Sequence, residues 1–390
     1  MKRIFLFFLS IIFSVTAIVA EPRVSVLTCS PGDEVYSLFG HTAFRYCDDE
    51  RGMDVVFSYG YFDFEAPGFV WRFILGETDY MVGAVPYASF EREYALRGSE
   101  VVEQVLALSA EQKQDIFETL VENCKVENRE YRYNYFYNNC TTRIRDLVFG
   151  YAVDVVVNDT APAITFRQAL SELTSAYPWY EFGINLILGS DIDKPVSREA
   201  LEFIPGNLMR DLAVANARTQ DGKMAPLVIK QSSIISPAVS SLPEQRSNLT
   251  PFNVSLLLLL FTMVVMLCEV RSRHTYWLYD ILLMLSQGLA GLLLLFMALF
   301  SQHPAVGNNW LILLFNPLAL VILPLLVYSI RKHKKPVVAW LQVCFVVAFL
   351  ITAVMQLQVY PSPVYFCAMA LLARSLFHIY KERICELSLY

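Results

Sequence analysis

The stretch YNYFYNNCTTRIRDL, residues 133–147, decides how the rest of the chain is interpreted. An aromatic, amide-rich run that favours an extended strand ends at Cys140, where a helix-like sequence begins. A thiol at a helix N-terminus ionises more easily than a free thiol, because the helix dipole stabilises the thiolate. His41, within the motif GHTAF at 40–44, is the only histidine among residues 21–250. The two residues predict a thiol nucleophile and its base.

Composition predicts two regions of different physics. The chain has 390 residues, 55% of them hydrophobic, and the apolar excess lies after about residue 252. Residues 1–20 begin with Met-Lys-Arg, continue as an apolar run and end in small residues, which predicts a secretory signal peptide. An uncleaved anchor helix is the alternative interpretation of this segment. Under either interpretation residues 21–250 are exported.

Five segments in the C-terminal part are apolar and long enough to cross a bilayer, which takes about 20 residues each. They lie near 252–270, 277–300, 310–330, 337–358 and 361–380. Lys and Arg residues concentrate in the connections after the first and third segments and are missing from those after the second and fourth. Because basic loops stay in the cytoplasm, this pattern places residues 21–250 outside and the C-terminal tail inside.

The exported part is acidic and holds four of the eight cysteines. It contains 33 Asp and Glu residues against 20 Lys and Arg residues, a balance that argues against nucleic acid and against a polybasic membrane patch. If Cys140 stays reduced, at most one disulfide can form among Cys29, Cys47 and Cys124. Cys29, in a predicted turn at 28–32, is the rival nucleophile. With one histidine and no close cysteine pair, we expect neither a metal site nor a cofactor.

Residues 24–62 are predicted to form strands joined by a polar hairpin turn centred near residue 50. The predicted strands span 24–27, 38–46 and 54–59. Counting antiparallel pairs from the turn sets His41 opposite about Tyr59. Ser58, Tyr59 and Tyr61 are therefore the candidates that orient the imidazole, with Ser58 and Tyr59 preferred.

Capping signals predict helices after the strands. A capping box at 109–112 predicts a helix to residue 123, and a second box at 165–168 precedes another apolar stripe. A further helical stretch, 197–216, is interrupted at Pro205. Residues 217–250 are rich in Ser, Pro and Gln, which predicts a tether. The predicted domains are a signal peptide at 1–20, an exported cysteine domain at 21–216, a linker at 217–250 and a five-span domain with a cytoplasmic tail at 251–390.

A cysteine with a histidine suits acyl transfer. The thiolate attacks a carbonyl carbon, a thioester forms, and the protonated histidine gives its proton to the leaving group. The backbone N–H of Cys140 and the side chain of Asn139 are predicted to bind the oxyanion of this step. Cysteines are more often small buried hydrophobic residues. The helix start, the flanking Asn-Asn and Thr-Thr pairs and the single histidine favour catalysis here.

Three further groups are candidates for lipid contact. Arg143 is expected to bind a lipid phosphate, or else to pair with Asp146 along its helix. The aromatic residues of 62–75 either dip into lipid or, as is more common, belong to a core. His303 and the amides at 308–309 lie in an exported loop. They either line a site for a lipid headgroup or are ordinary polar residues of a loop.

The order of a histidine on a strand and then Asn-Cys at a helix start resembles the circularly permuted branch of the papain-like NlpC superfamily, which includes lecithin:retinol acyltransferase. Members of this branch take an acyl chain from a phospholipid onto a cysteine and pass it to an alcohol or amine. A closer similarity, over nearly the whole chain, is to the Bacteroidota-type lipoprotein N-acyltransferase family, Lnb. The motifs that carry it, together with five spans, are TCSPG at 28–32, FGHTA at 39–43, YGYFDF at 59–64 and NCTTRIRD at 139–146.

The resemblance implies an α+β fold, with a permuted papain-like exported domain followed by an all-α domain of five transmembrane helices. It implies that Cys140 accepts the acyl chain and that His41 is its base. The implied acyl donor is a membrane phospholipid, and the implied acceptor is the amine of an N-terminal S-diacylglyceryl cysteine on a lipoprotein. The implied location is the inner (cytoplasmic) membrane, with the catalytic domain on the periplasmic side.

Two other functions are compatible with the sequence. A cell-wall peptidase or amidase of the NlpC type uses the same pair of residues, although five spans and an acidic exported domain do not suit it. A non-catalytic membrane scaffold, in which Cys140 is buried core or disulfide-bonded, is the second alternative. The rate at which Cys140 is alkylated separates a reactive thiol from a core cysteine.

Overall fold

The computed structural model describes residues 21–32, 34, 37–63, 65–157, 163–236, 249–332 and 336–387. The predicted signal at 1–20 lies outside the described residues, as does part of the basic loop, at 333–335. Within the described ranges a domain of strands and helices is followed by a domain of apolar helices. The predicted α+β fold followed by an all-α membrane domain is confirmed.

Ten strands in the described part form two antiparallel sheets. They are β1 (Arg23–Cys29), β2 (His41–Asp48), β3 (Met53–Tyr61), β4 (Asp79–Pro86), β5 (Val101–Leu106), β6 (Glu130–Arg132), β7 (Val153–Val157), β8 (Ala215–Arg218), β9 (Met224–Pro226) and β10 (Val228–Ile235). The large sheet has the order β10-β5-β1-β2-β3-β4-β6, and β7-β8-β9 form the small one. The strand that begins at His41 therefore lies at the centre of the large sheet.

The hairpin of β2 and β3 fixes the register around His41. Its turn is tightened by Asp48, whose Oδ1 accepts the backbone N–H groups of Glu50 and Arg51, and the predicted turn near residue 50 is confirmed. Ala43 pairs with Ser58. Extended by two residues, this register sets His41 opposite Gly60 rather than Tyr59, one position from the prediction.

Seven helices of the exported domain pack around the sheets: α1 (Phe69–Leu75), α2 (Tyr87–Arg97), α3 (Ala110–Asn123), α4 (Cys140–Tyr151), α5 (Phe166–Thr174), α6 (Pro178–Ile187) and α7 (Pro205–Val214). Both predicted capping boxes are present, at the starts of α3 and α5. The predicted interruption at Pro205 is confirmed, since a 3-10 turn precedes α7 and Pro205 occupies its first position. Proline suits that position because the first helical N–H has no partner within the helix.

The packing of α4 brings Cys140 to the sheet. Cys140, Ile144 and Val148 recur every four residues and so share one face of the helix. This face packs into the main core cluster with Phe44 and Tyr59 of the central strands. Each large apolar side chain buried there contributes about 1.5–3 kcal/mol. The same packing that stabilises the domain therefore holds the thiol against the strand of His41.

The exported domain is longer than predicted, because β10 belongs to its main sheet. β10 pairs antiparallel with β5 along its length. Its sequence VIKQSSII mixes polar and apolar residues, as an edge strand with one solvated face does, and this composition also resembles a tether. The predicted tether at 217–250 is therefore wrong up to residue 236, and 237–248 lie outside the described residues.

Five helices in the described part are long and apolar enough to cross a membrane. The spans fall on α8 (Pro251–Ser272), α9 (Trp277–Phe300), α10 (Leu318–Arg331) with the turn before it, α11 (Val337–Val354) and α12 (Ser362–Leu387). The third predicted span is not one continuous helix, because a 3-10 turn, Trp310–Leu313, precedes α10 and Pro317 separates them. The fourth ends at Val354 rather than at 358, since Gln356 has a φ of 52°.

The connection after the second span binds the exported domain directly. The backbone N–H of Gln302 donates to the carbonyl of Leu75 at 2.7 Å. The N–H of Gly189 donates to the carbonyl of Ala305, also at 2.7 Å. Both bonds lie on the side of the membrane domain that the loop charges predict to be outside, so the exported domain is seated on that face.

Candidate active site

Cys140 is the first residue of α4, and its sequence neighbours build the cap. The side-chain oxygen of Asn139 accepts the N–H groups of Thr141 and Thr142, each at 2.9 Å. The Thr142 hydroxyl accepts the Asn139 N–H at 2.8 Å, which completes a capping box. The cap fixes the first turn of the helix, and the Cys140 side chain within it is 9% exposed.

Two glycines give His41 its position. Gly40 has a φ of 78°, and a Cβ on it would meet the Cys29 carbonyl oxygen at 2.6 Å. A Cβ on Gly60 would lie 2.8 Å from Cε1 of the imidazole. His41 Nε2 lies 2.5 Å from the Ser58 hydroxyl. Because Ser58 occupies Nε2, Nδ1 is the ring nitrogen left for the thiol.

The thiol of Cys140 has a lowered pKa although it is buried. Burial alone raises the pKa, but the charge of His41, a hydrogen bond with His41, and hydrogen bonds from the Thr42 backbone N–H and the Thr141 hydroxyl lower it to about 7. The Thr141 hydroxyl lies 3.8 Å from Sγ of Cys140 and 3.1 Å from the Thr42 hydroxyl. A substantial fraction of Cys140 is therefore thiolate at neutral pH.

Several buried tyrosines respond to the charge of the thiol. Burial and, to a smaller extent, the charge of Cys140 together raise the pKa of Tyr80 to about 12. Burial and the charge of Cys140 also raise the pKa values of Tyr133 and Tyr135 well above their usual range. The Tyr135 hydroxyl is buried and finds no hydrogen-bond partner among the described residues. These hydroxyls therefore stay protonated at neutral pH, so each keeps a hydrogen that it can donate.

The rival nucleophile, Cys29, has the opposite electrostatics. It is the last residue of β1, paired with His41 across the sheet, rather than part of a turn as predicted. Its side chain is 1% exposed, and burial raises the pKa of its thiol far above the usual value. Cys29 is therefore a protonated core residue. Cys47 and Cys124 are also free thiols, so Cys29, Cys47 and Cys124 form no disulfide, where at most one was expected.

Two of the predicted site residues have other partners. The Tyr59 hydroxyl accepts a hydrogen bond from Asn123 at 2.8 Å, and the contact with the imidazole is made by Ser58 instead. The Asn139 amide nitrogen donates to the carbonyls of Tyr135 and Phe203, at 3.0 and 2.8 Å. The predicted oxyanion contact from Asn139 is therefore wrong, because both of its donor hydrogens are used within the fold.

Arg143 stays beside the site, but not in the predicted pairing. Its Nε donates to Asn138 Oδ1 at 2.6 Å, and its guanidinium lies 4.6 Å from the centre of the Tyr131 ring. The alternative pairing with Asp146 is wrong, because Arg145 binds that carboxylate. Contact between Arg143 and a lipid phosphate stays a prediction.

His303 does not line a site beneath Cys140. Its Nε2 lies 2.8 Å from the carbonyl oxygen of Phe73 in α1. The predicted amides at 308–309 are also used between the domains, since Asn308 donates to Asp191 and Asn309 donates to the end of α6. The headgroup site predicted for this loop is therefore wrong, because its polar groups hold the exported domain on the membrane domain.

The apolar segment 62–75 is not the core element that was the preferred prediction. No residue of α1 is buried, and Val70, Trp71 and Phe73 are 70%, 57% and 49% exposed. The Trp71 ring lies 5.2 Å from the ring of Phe296 in α9. The alternative, contact with lipid, fits this position.

Sequence reasoning missed the groups that complete the thiol environment. Thr42 and Thr141 come from the two elements that meet at the site, and each directly adjoins a predicted catalytic residue. The aromatic-rich sequence of 133–137 does not by itself show which of its rings lie near Cys140. Within the described ranges no group of three or more His, Cys, Asp or Glu side chains is placed to hold a metal ion.

An activated thiol and an imidazole on an exported domain, seated on five apolar helices, define a multi-pass membrane protein with a cysteine–histidine site. Two family models match the chain. The Lnb N-terminal periplasmic domain matches residues 15–172, and the Lnb transmembrane domain matches 243–383. Together they cover more than half of the chain, which belongs to the Lnb family and has a periplasmic domain. No curated protein and no solved structure matches it.

Proposed function

We propose that the protein is a lipoprotein N-acyltransferase, which moves an acyl chain from a membrane phospholipid, through a Cys140 thioester, to the N-terminal amine of diacylated lipoproteins. Membership of the Lnb family supports the reaction. The observation that carries the role of Cys140 is its place at a capped, buried helix start, where His41, Thr42 and Thr141 lower the pKa of its thiol to about 7. A thiolate is the form that attacks an ester.

In the first step the Cys140 thiolate attacks the ester carbonyl carbon of the phospholipid. A carbon–sulfur bond forms and the ester carbon–oxygen bond breaks. The leaving alcohol of the lysophospholipid takes its proton from the imidazolium of His41. Ser58, 2.5 Å from Nε2, keeps the ring oriented with Nδ1 towards the sulfur.

In the second step the lipoprotein amine attacks the thioester carbonyl. A carbon–nitrogen bond forms, the carbon–sulfur bond breaks, and the thiolate of Cys140 is released. His41 takes the proton that the amine loses, which returns the site to its first state. The tyrosine rings around the thiol exclude water, so that the amine has less competition from hydrolysis.

The oxyanion of both steps needs two donors. The backbone N–H of Cys140, at the first position of α4, is one of them. The Tyr135 hydroxyl takes the role that Asn139 cannot fill, since it is buried, has no partner among the described residues and senses the charge of Cys140. Its raised pKa keeps the donor proton in place.

We further propose that the protein lies in the inner membrane with its site facing the periplasm. Donor and acceptor lipids are then confined to the same leaflet as the site, which raises their effective concentration. The exported domain, for which 21–236 are the proposed bounds, rests on the membrane domain through backbone bonds. This arrangement supports catalysis at the bilayer surface rather than at a distance along a tether.

The test of Cys140 uses the full chain in vesicles and in cells. Cys140→Ala should abolish conversion of diacylated to triacylated lipoproteins, while Cys29→Ala should retain it. Mass spectrometry of lipoprotein N-termini measures this, and intact mass of the wild-type protein should show a hydroxylamine-sensitive acyl adduct after exposure to phospholipid. Triacylation by Cys140→Ala at the wild-type level would overturn the proposal. Release of wall peptides without any acyl adduct would instead support the peptidase.

A further inference from the structure

Helix α1 presents apolar side chains at the level of the membrane. The hydroxyl of Ser301 donates to the carbonyl of Ile74 at 2.8 Å, and the side chain of Trp71 contacts Phe296 of α9. The outward residues of α1 therefore continue the apolar surface of a spanning helix. A short apolar helix in this position lies within the boundary between headgroups and acyl chains.

A series of stacked rings leads from α1 to the thiol. Phe73 and Phe69 have centroids 6.2 Å apart, and Phe69 and Phe62 are 5.9 Å apart. Phe62 stacks on Tyr80 at 4.8 Å, and Tyr80 stacks on Tyr133 at 4.1 Å. We call these five residues the aromatic series. Its first member lies at the membrane surface, and its last two members sense the charge of Cys140.

We propose that the aromatic series binds the acyl chain of a phospholipid from the outer leaflet and brings its ester to Cys140, with α1 inserted in that leaflet. The inference rests on the proposed function and adds the residues that select and guide the donor. A ring series of this kind offers apolar contact without hydrogen-bond donors until it reaches the tyrosines. It therefore suits the apolar tail of a lipid and places the polar ester at the thiol.

Lipid is the occupant that the surroundings of α1 favour. Helix α1, which carries Phe69 and Phe73, also contacts a membrane-spanning helix through Trp71 and Phe296, so the start of the series lies beside lipid. His303 packs beside the first member of the series. Its ring hydrogen-bonds to the Phe73 carbonyl, and the centres of the two rings are 5.9 Å apart.

The experiment compares a lipid donor with a soluble one on the full chain in vesicles of dioleoyl phosphatidylethanolamine and dioleoyl phosphatidylglycerol. The variants are Trp71→Ser and Phe73→Ser. The control is Leu96→Ser, because Leu96 is 83% exposed on α2 and lies outside the series. One readout is oleoylation of Cys140 from the vesicle lipid. The other is butyrylation of Cys140 by p-nitrophenyl butyrate, whose short chain does not need the series.

Trp71→Ser weakens the insertion of α1 in the leaflet, and Phe73→Ser removes apolar contact with the chain. Both should slow oleoylation by about tenfold and leave butyrylation within about twofold of wild type. Leu96→Ser should leave both rates unchanged. Unchanged oleoylation in both α1 variants would overturn the inference, as would an equal loss of both reactions. Failure of the wild-type protein to take any acyl group from lipid would overturn the proposed function instead.

Discussion

The exported and membrane domains each bury a polar cluster, and the two clusters are built in opposite ways. In the membrane domain, Arg374 binds Asp280 at 2.6 Å and Glu269 at 2.5 Å, while Lys381 binds Glu269 at 3.0 Å. Two cations face two carboxylates, so the charges match. In the exported domain, one imidazole and two threonines act on Cys140, and together they lower the pKa of its thiol.

The difference shows which buried polar group is able to react. Ionisable residues within a membrane often mark a functional site. Here the carboxylates of α8 and α9 form ion pairs with one arginine of α12, so the cluster holds three helices together. The thiol site instead leaves a nucleophile next to a series of rings that leads to lipid. Buried charge alone therefore does not identify the reactive site. A nucleophilic atom that is not used to pair charges, such as the Cys140 sulfur, does.

The largest effect is expected at Arg374, which tests the structural role of the membrane cluster. Arg374→Ala should lower the free energy of unfolding by about 3–5 kcal/mol, because two buried carboxylates lose the arginine that joins them. Thermal unfolding in detergent measures the loss. Arg271→Ala is the matched control, since Arg271 is exposed in the last turn of α8 and its removal should change stability by less than about 0.5 kcal/mol. Full stability in Arg374→Ala would show that the cluster does not hold the three helices together.

A second prediction concerns the proton on Cys140. Burial raises the pKa of this thiol and His41 is the largest influence that lowers it, so His41→Ala should move the pKa above its usual value. With a rise of about two pKa units, alkylation of Cys140 at pH 7 should slow by about a hundredfold. The measurement is the rate of iodoacetamide labelling of the Cys140 peptide against pH, which in the wild type should rise with a midpoint near pH 7.

Cys124 is the internal control for this labelling. It is a half-buried thiol whose pKa is raised by burial, and its labelling should respond equally to pH in wild type and variant. An unchanged midpoint at Cys140 in His41→Ala would show that the imidazole does not activate the thiol. The site would then resemble the membrane cluster, as a structural arrangement of polar groups.

The parts of the fold that were predicted correctly have local causes. The capping boxes at 109–112 and 165–168, the turn near residue 50 and the break at Pro205 depend on residues close together in sequence. The placement of Cys140 at a helix start is of the same kind. These features could be predicted because the hydrogen bonds that form them join near neighbours.

The errors concern partners that are distant in sequence. Asn139 looked available for an oxyanion, but the carbonyl of Phe203 uses its amide. His303 looked available for a headgroup, but the carbonyl of Phe73 binds it. β10 looked like a tether because its partner, β5, precedes it by more than 100 residues. Burial and pairing at such positions depend on tertiary packing, which periodicity alone does not contain.

The smallest expected effect separates orientation of the imidazole from its charge. Ser58→Ala removes the hydroxyl at Nε2 and should slow acyl transfer by about tenfold, as the loss of groups that orient a reactive residue does. Because His41 and its charge remain, the midpoint of Cys140 labelling should stay near pH 7. Steady-state transfer to a diacylated lipoprotein peptide, measured beside the labelling profile, shows whether the rate and the midpoint separate.

Tyr59→Phe is the matched control, because Tyr59 lies next in sequence and its hydroxyl binds Asn123 instead of the imidazole. Losing that bond should cost about 1 kcal/mol of stability and leave the transfer rate within about twofold. Ser58→Thr, which keeps a hydroxyl, should restore part of the rate. If Ser58→Ala and Tyr59→Phe slowed transfer equally, Ser58 would be no more than a packing residue. If only Ser58→Ala slowed transfer, and the midpoint of Cys140 labelling did not move, the orientation of His41 would be shown to contribute to the reaction.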